Sequence, residues 1–286
     1  MSQKWTRGMF LSLALASGLV ACTGETPTEQ PPKQPPAEQP AKAPVPADVD
    51  KATLAAQAEN IALVPSPAEM QKALDRAGIT ADLAAKVPDR KLKMDVPNKD
   101  QVAVRTGVIL ADLLLTVKSA EKAKLSSHLA EIKTGMGELG AGSDIAATID
   151  DLDGQIQNDS ISRDDLVKEL DQLSGAVIPE IEYEAGERSV PLIQAGSWLE
   201  GANLVAGAII ESGKYDNATD LLKQPAVVGY FQSYVKTEGQ DKAPSEVISQ
   251  LETTLNTLAD VCTHEKLSEE DVQTIHTSTA AVLDLL

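Results

Sequence analysis

The chain has 286 residues, of which 42% are hydrophobic and only 3% aromatic, and it carries a formal net charge of −18 at pH 7. An excess of acid on this scale repels nucleic acid and anionic lipid headgroups, so no nucleic-acid partner is expected and the folded part has no electrostatic reason to lie on a membrane. Two cysteines, Cys22 and Cys262, are too few for a disulfide framework.

In chain order, the first segment has the parts of a secretory signal. Lys4 and Arg7 supply a positive start. Residues 9–20 form an apolar run of about a dozen residues, too short for a helix to cross roughly 30 Å of hydrocarbon. The run closes on Leu19-Val20-Ala21-Cys22, which resembles the lipobox of bacterial lipoproteins. The resemblance covers the first 22 residues. It implies a signal peptide over 1–21, cleavage after Ala21 and a lipid on Cys22. A plain signal peptide carrying a chance cysteine is the alternative. Residues 1–21 hold no acid, so their removal takes the net charge from −18 to −20. The same resemblance implies sorting to the periplasmic face of an outer membrane. Thr23 stands where an aspartate would favour the inner membrane. With Cys22 lipidated, Cys262 has no partner for an intrachain disulfide.

Residues 22–49 then form a stalk. Eight of the 16 prolines lie between Pro27 and Pro46, among Glu, Gln, Lys and Ala. Such a composition builds no core and predicts a semi-extended polyproline spacer. At about 3.1 Å per residue, two dozen residues reach roughly 70 Å. A docking site for a proline-recognising partner is the alternative.

From residue 50 onward, Ala, Leu, Ile and Val recur at three- and four-residue spacing, which predicts an all-α domain over 50–286. The first helix spans 50–63 and stops near Pro65. Ser66-Pro67-Ala68-Glu69 combines an N-cap, a first-turn proline and a capping-box acid, and that helix ends at Gly78. Thr80 caps a short helix, and 87–97 is a loop. Asn98 to Gln101 reads as a second capping box. The helix it opens, to about Ser119, is apolar nearly all round and therefore central. Further helices are predicted at 121–139, 143–157, and from Ser162 to about Leu173. A second buried helix runs over 189–212. Gly196, Gly201 and Gly207 are poor helix formers, so close packing is what selects them there. Helices at 216–236, 244–261 and 268–285 complete an all-α bundle of about eight to ten helices.

Two related halves, 50–175 and 176–286, are a candidate division. Gly107-Val108-Ile109-Leu110-Ala111-Asp112-Leu113 is similar to Gly196-Ser197-Trp198-Leu199-Glu200-Gly201-Ala202, and the start at Ser162 is similar to that at Ser268. The intervals differ, 55 residues in the first and 72 in the second. These motifs also resemble those of uncharacterised all-helical bacterial lipoproteins. That likeness implies a helical fold and supplies no catalytic residue.

Few residues suggest chemistry. Asp151-Leu152-Asp153-Gly154 has the wrong first and twelfth residues for a calcium loop. Cys262 and His264 have too few neighbours for zinc, so no metal and no cofactor are expected. No nucleophile motif or phosphate-cradling glycine loop is present. What remains is a set of polar residues in helices predicted to be buried. Arg105, Asp112 and Thr116 share one face, and Glu200 and Asn203 interrupt the second helix. Trp198 lies between Gly196 and Gly201, and is predicted to be buried with its N–H bonded. Apart from Trp5 and Phe10, the aromatic residues fall between Tyr183 and Tyr234, as local core or as a partner surface.

The leading functional expectation is a membrane-anchored lipoprotein acting as a non-enzymatic binding or scaffold module. Its partner would be a protein or a cell-envelope ligand. The alternative is an enzyme or small-ligand binder with a pocket between the two buried helices, using Asp112 or Glu200, beside Arg105 and Trp198. A closed core with both acids paired would favour the first reading. A solvent-connected concavity lined by them would favour the second.

Overall fold

A computed structural model describes residues 64–170, 189–238 and 245–286. The expected signal peptide, Cys22, the expected stalk, the predicted helix at 50–63 and Tyr183 lie outside the described residues. Within them the protein is all α-helical, and no strand is present.

The first elements show how local chemistry sets helix ends. Helix α1 (Pro67–Arg76) starts with the predicted capping box. Ser66 Oγ accepts from the Glu69 amide, and the Glu69 carboxylate accepts from the Ser66 amide. It ends before Gly78, whose φ of 70° is a left-handed conformation that suits glycine. Helix α2 (Leu83–Lys86) is capped by Asp82 rather than by Thr80. Gln71 explains the shift. Its amide group donates to the Ala81 carbonyl and accepts from the Leu83 amide, which holds the chain extended past Thr80.

Helix α3 (Lys99–Thr116) is capped by Asn98, but only half of the expected box forms. Gln101 donates instead to the Leu285 carbonyl, tying the start of α3 to the C-terminus. Helices α4 (Lys122–Glu138) and α5 (Ser143–Gln157) follow, and α6 opens at residue 163 behind Ser162. Helix α7 (Ser189–Ser212) carries Pro191 in its first turn, where no intrahelical N–H is needed.

One predicted helix is two. The segment expected at 216–236 is a 3₁₀ turn (Tyr215–Asn217), α8 (Ala218–Leu222) and α9 (Pro225–Glu238). Pro225 lacks the N–H that a continuous helix requires and forces Gln224 out of the α region. Helices α10 (Glu246–Val261) and α11 (Glu269–Leu283) form the last pair, capped by Ser245 and Ser268.

The helices are ranked around one central contact. Helix α3 packs against α7; α4 covers α3, and α5 covers α4. On the other side α11 covers α7, α10 covers α11, and α9 covers α10. The described residues all belong to one compact unit, and the candidate halves each supply one of the two central helices. Asn203 fastens α7 to α11 by donating to the His276 carbonyl and Thr279 Oγ1, at 2.9 and 3.0 Å.

Glycines set the spacing at the centre. A methyl group on Gly107 would fall inside van der Waals contact of the Ile193 carbonyl oxygen, and one on Gly196 would overlap the Val104 carbonyl oxygen. The two backbones therefore touch, with no layer of side chains between them. Gly201 similarly makes room for Met70 of α1. The expectation that packing selects glycine in α7 is met at Gly196 and Gly201.

Gly107→Ala and Gly196→Ala should each destabilise the protein by at least about 3 kcal/mol, since the obstruction is backbone and cannot swing away. A methyl on Gly154 of α5 meets nothing within 4 Å. Gly154→Ala should stabilise by about 0.5–1 kcal/mol through helix propensity. Urea unfolding of the three variants beside the parent measures both effects.

Candidate functional site

The 87–97 loop crosses the central pair of helices and is pinned at both ends. Val87 and Met94 are buried in the core. Arg105 of α3 donates from Nη1 to the Lys93 carbonyl. Between these anchors Arg90 turns inward.

Arg90 meets the two acids expected in the buried helices. Its Nη2 lies 3.1 Å from each Asp112 carboxyl oxygen and 2.8 Å from Glu200 Oε1. The Asp112 and Glu200 side chains are each 1% exposed, whereas that of Arg90 is 20% exposed. The approach to Glu200 is close but poorly aligned, so both Glu200 oxygens lack a well-directed hydrogen bond. Thr116 donates to the Asp112 carbonyl at 2.6 Å, a local bond that leaves the carboxyl group to Arg90.

Two ionised carboxylates beside one guanidinium would leave a net negative charge in a site with almost no water. Burial, and then the proximity of Glu200, push the Asp112 pKa up to about 8, against the opposing pull of Arg90. Burial works against the charge on Arg90. Glu200 and Asp112 outweigh it, so the Arg90 pKa is raised. At neutral pH the Asp112 carboxyl group therefore favours its protonated form, which lessens the negative charge beside Arg90.

The four candidate residues divide into separate environments. Asp112 and Glu200 come together through Arg90. Arg105 of α3 is buried against the 87–97 loop; its Nε has no partner and burial lowers its pKa. Trp198 is 4% exposed and donates from Nε1 to Gln224 Oε1 at 2.8 Å. Its ring sits 5.6 Å from that of Phe231. The cavity beside Trp198 is about 10 Å³, lined by Met70, Val205, Leu222, Val228 and Ile275 among others, and has room for one water at most. Neither acid lines it. No pocket opens between α3 and α7 at Gly107 and Gly196, because the backbones are in contact there.

Three residues that matter were not singled out from sequence. Arg90 falls in the 87–97 segment, read from sequence only as a loop, yet two acids in apolar helices demand a cation. Arg105, two turns before Asp112, is too far along the helix to supply it. Gln224, half-buried in the break before Pro225, is the Trp198 acceptor. His128 of α4 is 4% exposed, its Nδ1 has no hydrogen-bond partner, and burial and then Lys124 and Arg90 pull its pKa down to about 4. Among the described residues, no group of three or more His, Cys, Asp or Glu side chains is placed to hold a metal. His264 is engaged with Asp271, at 2.9 Å.

Comparison with protein-family models, with curated proteins and with solved structures returns no match for this chain. The reading of the site therefore rests on its own geometry.

Asp112 gives a test with a defined sign. Its folded pKa lies above the ordinary 3.8, so its contribution to stability is full below about pH 4 and is lost as pH rises towards 8. Asp112→Asn copies the protonated carboxyl group and should cost no more than about 1.5 kcal/mol at pH 6. Asp112→Ala removes both hydrogen bonds that Arg90 makes to the carboxyl group, while Arg90 and Glu200 remain together, and should cost about 2–3 kcal/mol. The stability of the parent relative to Asp112→Asn should fall between pH 4 and 8. Parallel pH–stability curves for those two proteins would show that Asp112 is ionised throughout.

Proposed function

We propose that this protein is a lipid-anchored cell-envelope protein, held to a membrane through Cys22, whose helical domain acts as a non-enzymatic binding or scaffold module. The closed α3–α7 interface carries the non-enzymatic part of the reading. Asp112 and Glu200, the acids best placed for catalysis, are consumed by Arg90 inside the core. The backbones at Gly107 and Gly196 leave no space for a substrate between the helices.

The Leu19-Val20-Ala21-Cys22 motif supports attachment by lipid. Among the described residues no helix is long and apolar enough to cross a membrane. In this reading residues 22–49 act as the spacer that holds the domain off the lipid surface. Thr23, by resemblance to lipoprotein sorting, favours the periplasmic face of an outer membrane over the inner membrane. The partner is a protein or an envelope ligand.

One observation favours a second reading, a proton-transfer enzyme or small-ligand binder that uses the same acids. A carboxyl group held protonated near neutral pH, as Asp112 is, is a general acid in many active sites. Arg90 would have to withdraw to admit a ligand. Structural ion-pair networks perturb pKa values in the same way, and the sealed backbone contact weighs against this reading.

Fractionation of cells expressing the full chain tests the anchor. The parent should partition into membranes and be released only by detergent. Cys22→Ser should appear in the soluble periplasmic fraction, or retain its first 21 residues uncleaved. Correctly cleaved Cys22→Ser protein that stays on membranes would overturn attachment by lipid.

A further inference from the structure

The middle of the 87–97 loop is held by charge rather than by backbone bonding. Val87 and Met94 are buried in the core near its ends. Between them, among the described residues, no backbone–backbone hydrogen bond joins residues 88–93 to the rest of the protein. Pro88, Asp89, Lys91 and Lys93 are exposed, and Leu92 is half-buried. Two guanidinium groups fasten this stretch. Arg90 reaches down from the loop to Asp112 and Glu200, and Arg105 reaches up from α3 to the Lys93 carbonyl.

The Arg105 tie joins a permanent cation to a carbonyl and does not titrate. The Arg90 tie does. Two carboxyl groups, each closed to solvent, face one guanidinium. Both Glu200 oxygens lack a directed hydrogen bond, so no further donor is in place to absorb a second negative charge. Two like charges this close, without water, do not ionise together at low cost. The cluster lowers that cost by holding a proton or by admitting water. Arg90 is the member nearest solvent, so water enters from the loop side, and the loop is what must move.

We propose that residues 88–93 are a pH-sensitive strap, closed over the α3–α7 crossing while one acid of the Asp112–Glu200 pair is protonated and lifted when both are ionised. Val87 and Met94 stay in the core as its hinges. Burial, and then Glu200, hold the Asp112 pKa at about 8 in the closed form, whereas access to water returns it towards the ordinary 3.8. Opening therefore gains up to about tenfold for each unit that pH rises below 8, and levels off above. Among the described residues, Glu200 and Arg90 are the charged groups that act on Asp112; α1, α2 and α10 also touch α3 and bring none to bear. Around the strap itself, Asp89, Lys91 and Lys93 are exposed. His128 of α4, pulled down to about 4 by burial and then by Lys124 and Arg90, is neutral above pH 6. Glu131 of α4, its pKa raised by burial, lies beside the Leu92 amide. The strap does not depend on the lipid anchor, so its failure would leave attachment through Cys22 standing.

Trypsin reads the strap directly, because it cuts after Arg90 only when that side chain leaves the core. In the full chain, the initial rate of this cut divided by that of a free peptide of residues 84–97 at the same pH gives the open fraction. The open fraction should rise about tenfold from pH 6 to 7 and flatten above pH 8. Asp112→Asn, which does not ionise, should give a flat profile, and circular dichroism confirms its fold. That variant also separates Asp112 from Glu131. Glu200→Gln leaves one acid for one guanidinium and should show a reduced rise; it serves where Asp112→Asn does not fold. Cleavage after Arg105, inside α3, reports global unfolding and should be at least about tenfold slower than cleavage after Arg90. An open fraction that does not change with pH, a rise that persists undiminished in the variants, or equal rates after Arg90 and Arg105 would overturn the proposal.

Discussion

The contact between the backbones of α3 and α7 is the constraint on which the rest of the structure depends. Gly107 and Gly196 bring the two helices together without intervening side chains. Such proximity gains dispersion contacts along the whole crossing and excludes water from it. It also means that no polar group on the facing surfaces can be satisfied by solvent. Asp112 and Glu200, one on each helix, must therefore find a partner from a third element. The 87–97 loop is that element, and the need to deliver a guanidinium to one buried point determines its path. Lys93 is held by Arg105, Val87 and Met94 are sunk in the core, and Arg90 lies between them.

A buried charge cluster of this kind is a poor source of net stability, because desolvation offsets most of the Coulomb gain. Its effect is on specificity. Sliding α3 past α7 by one turn would separate Asp112 from Glu200 and strand at least one of them in apolar surroundings. The apolar surfaces of these helices are nearly featureless and would tolerate such a slip. The glycines and the Arg90 cluster together forbid it, the first by shape and the second by charge. The proton retained on Asp112 belongs to the same solution, since it removes the excess negative charge without a second cation.

What could be read from the sequence was mainly local. The serine caps at Ser66 and Ser268, the two helices apolar on every side and the buried place of Asp112, Glu200 and Trp198 follow from periodicity and capping chemistry within a few residues. The failures came where a distant partner decided the outcome. Gln101 left the Asn98 capping box for a carbonyl at the far end of the chain, and Gln71 delayed the helix expected from Thr80. Pro225 was the exception, a local signal passed over inside an otherwise helical pattern. Arg90 could not be distinguished from its charged neighbours by any pattern in the loop. Only the combined demand of two acids on separate helices singles it out, and that demand exists only once the helices are known to touch.

The inner and outer sides of the loop are electrically linked through Arg90. Its charge draws the Asp112 pKa down from the inside, and helps to hold His128 neutral from the outside. Any negative charge placed beside His128 would relieve the second effect and compete weakly with the buried acids for the same guanidinium. Because Arg90 is shared, a change of charge on one side must alter proton affinity on the other, and the influence is reciprocal. The buried acids and the His128 imidazole are thus linked through one guanidinium. This also accounts for the placing of a basic loop on so acidic a chain. The buried acids require one cation, and the neighbours of that cation, which the core cannot use, are left facing solvent at the uncapped end of α4.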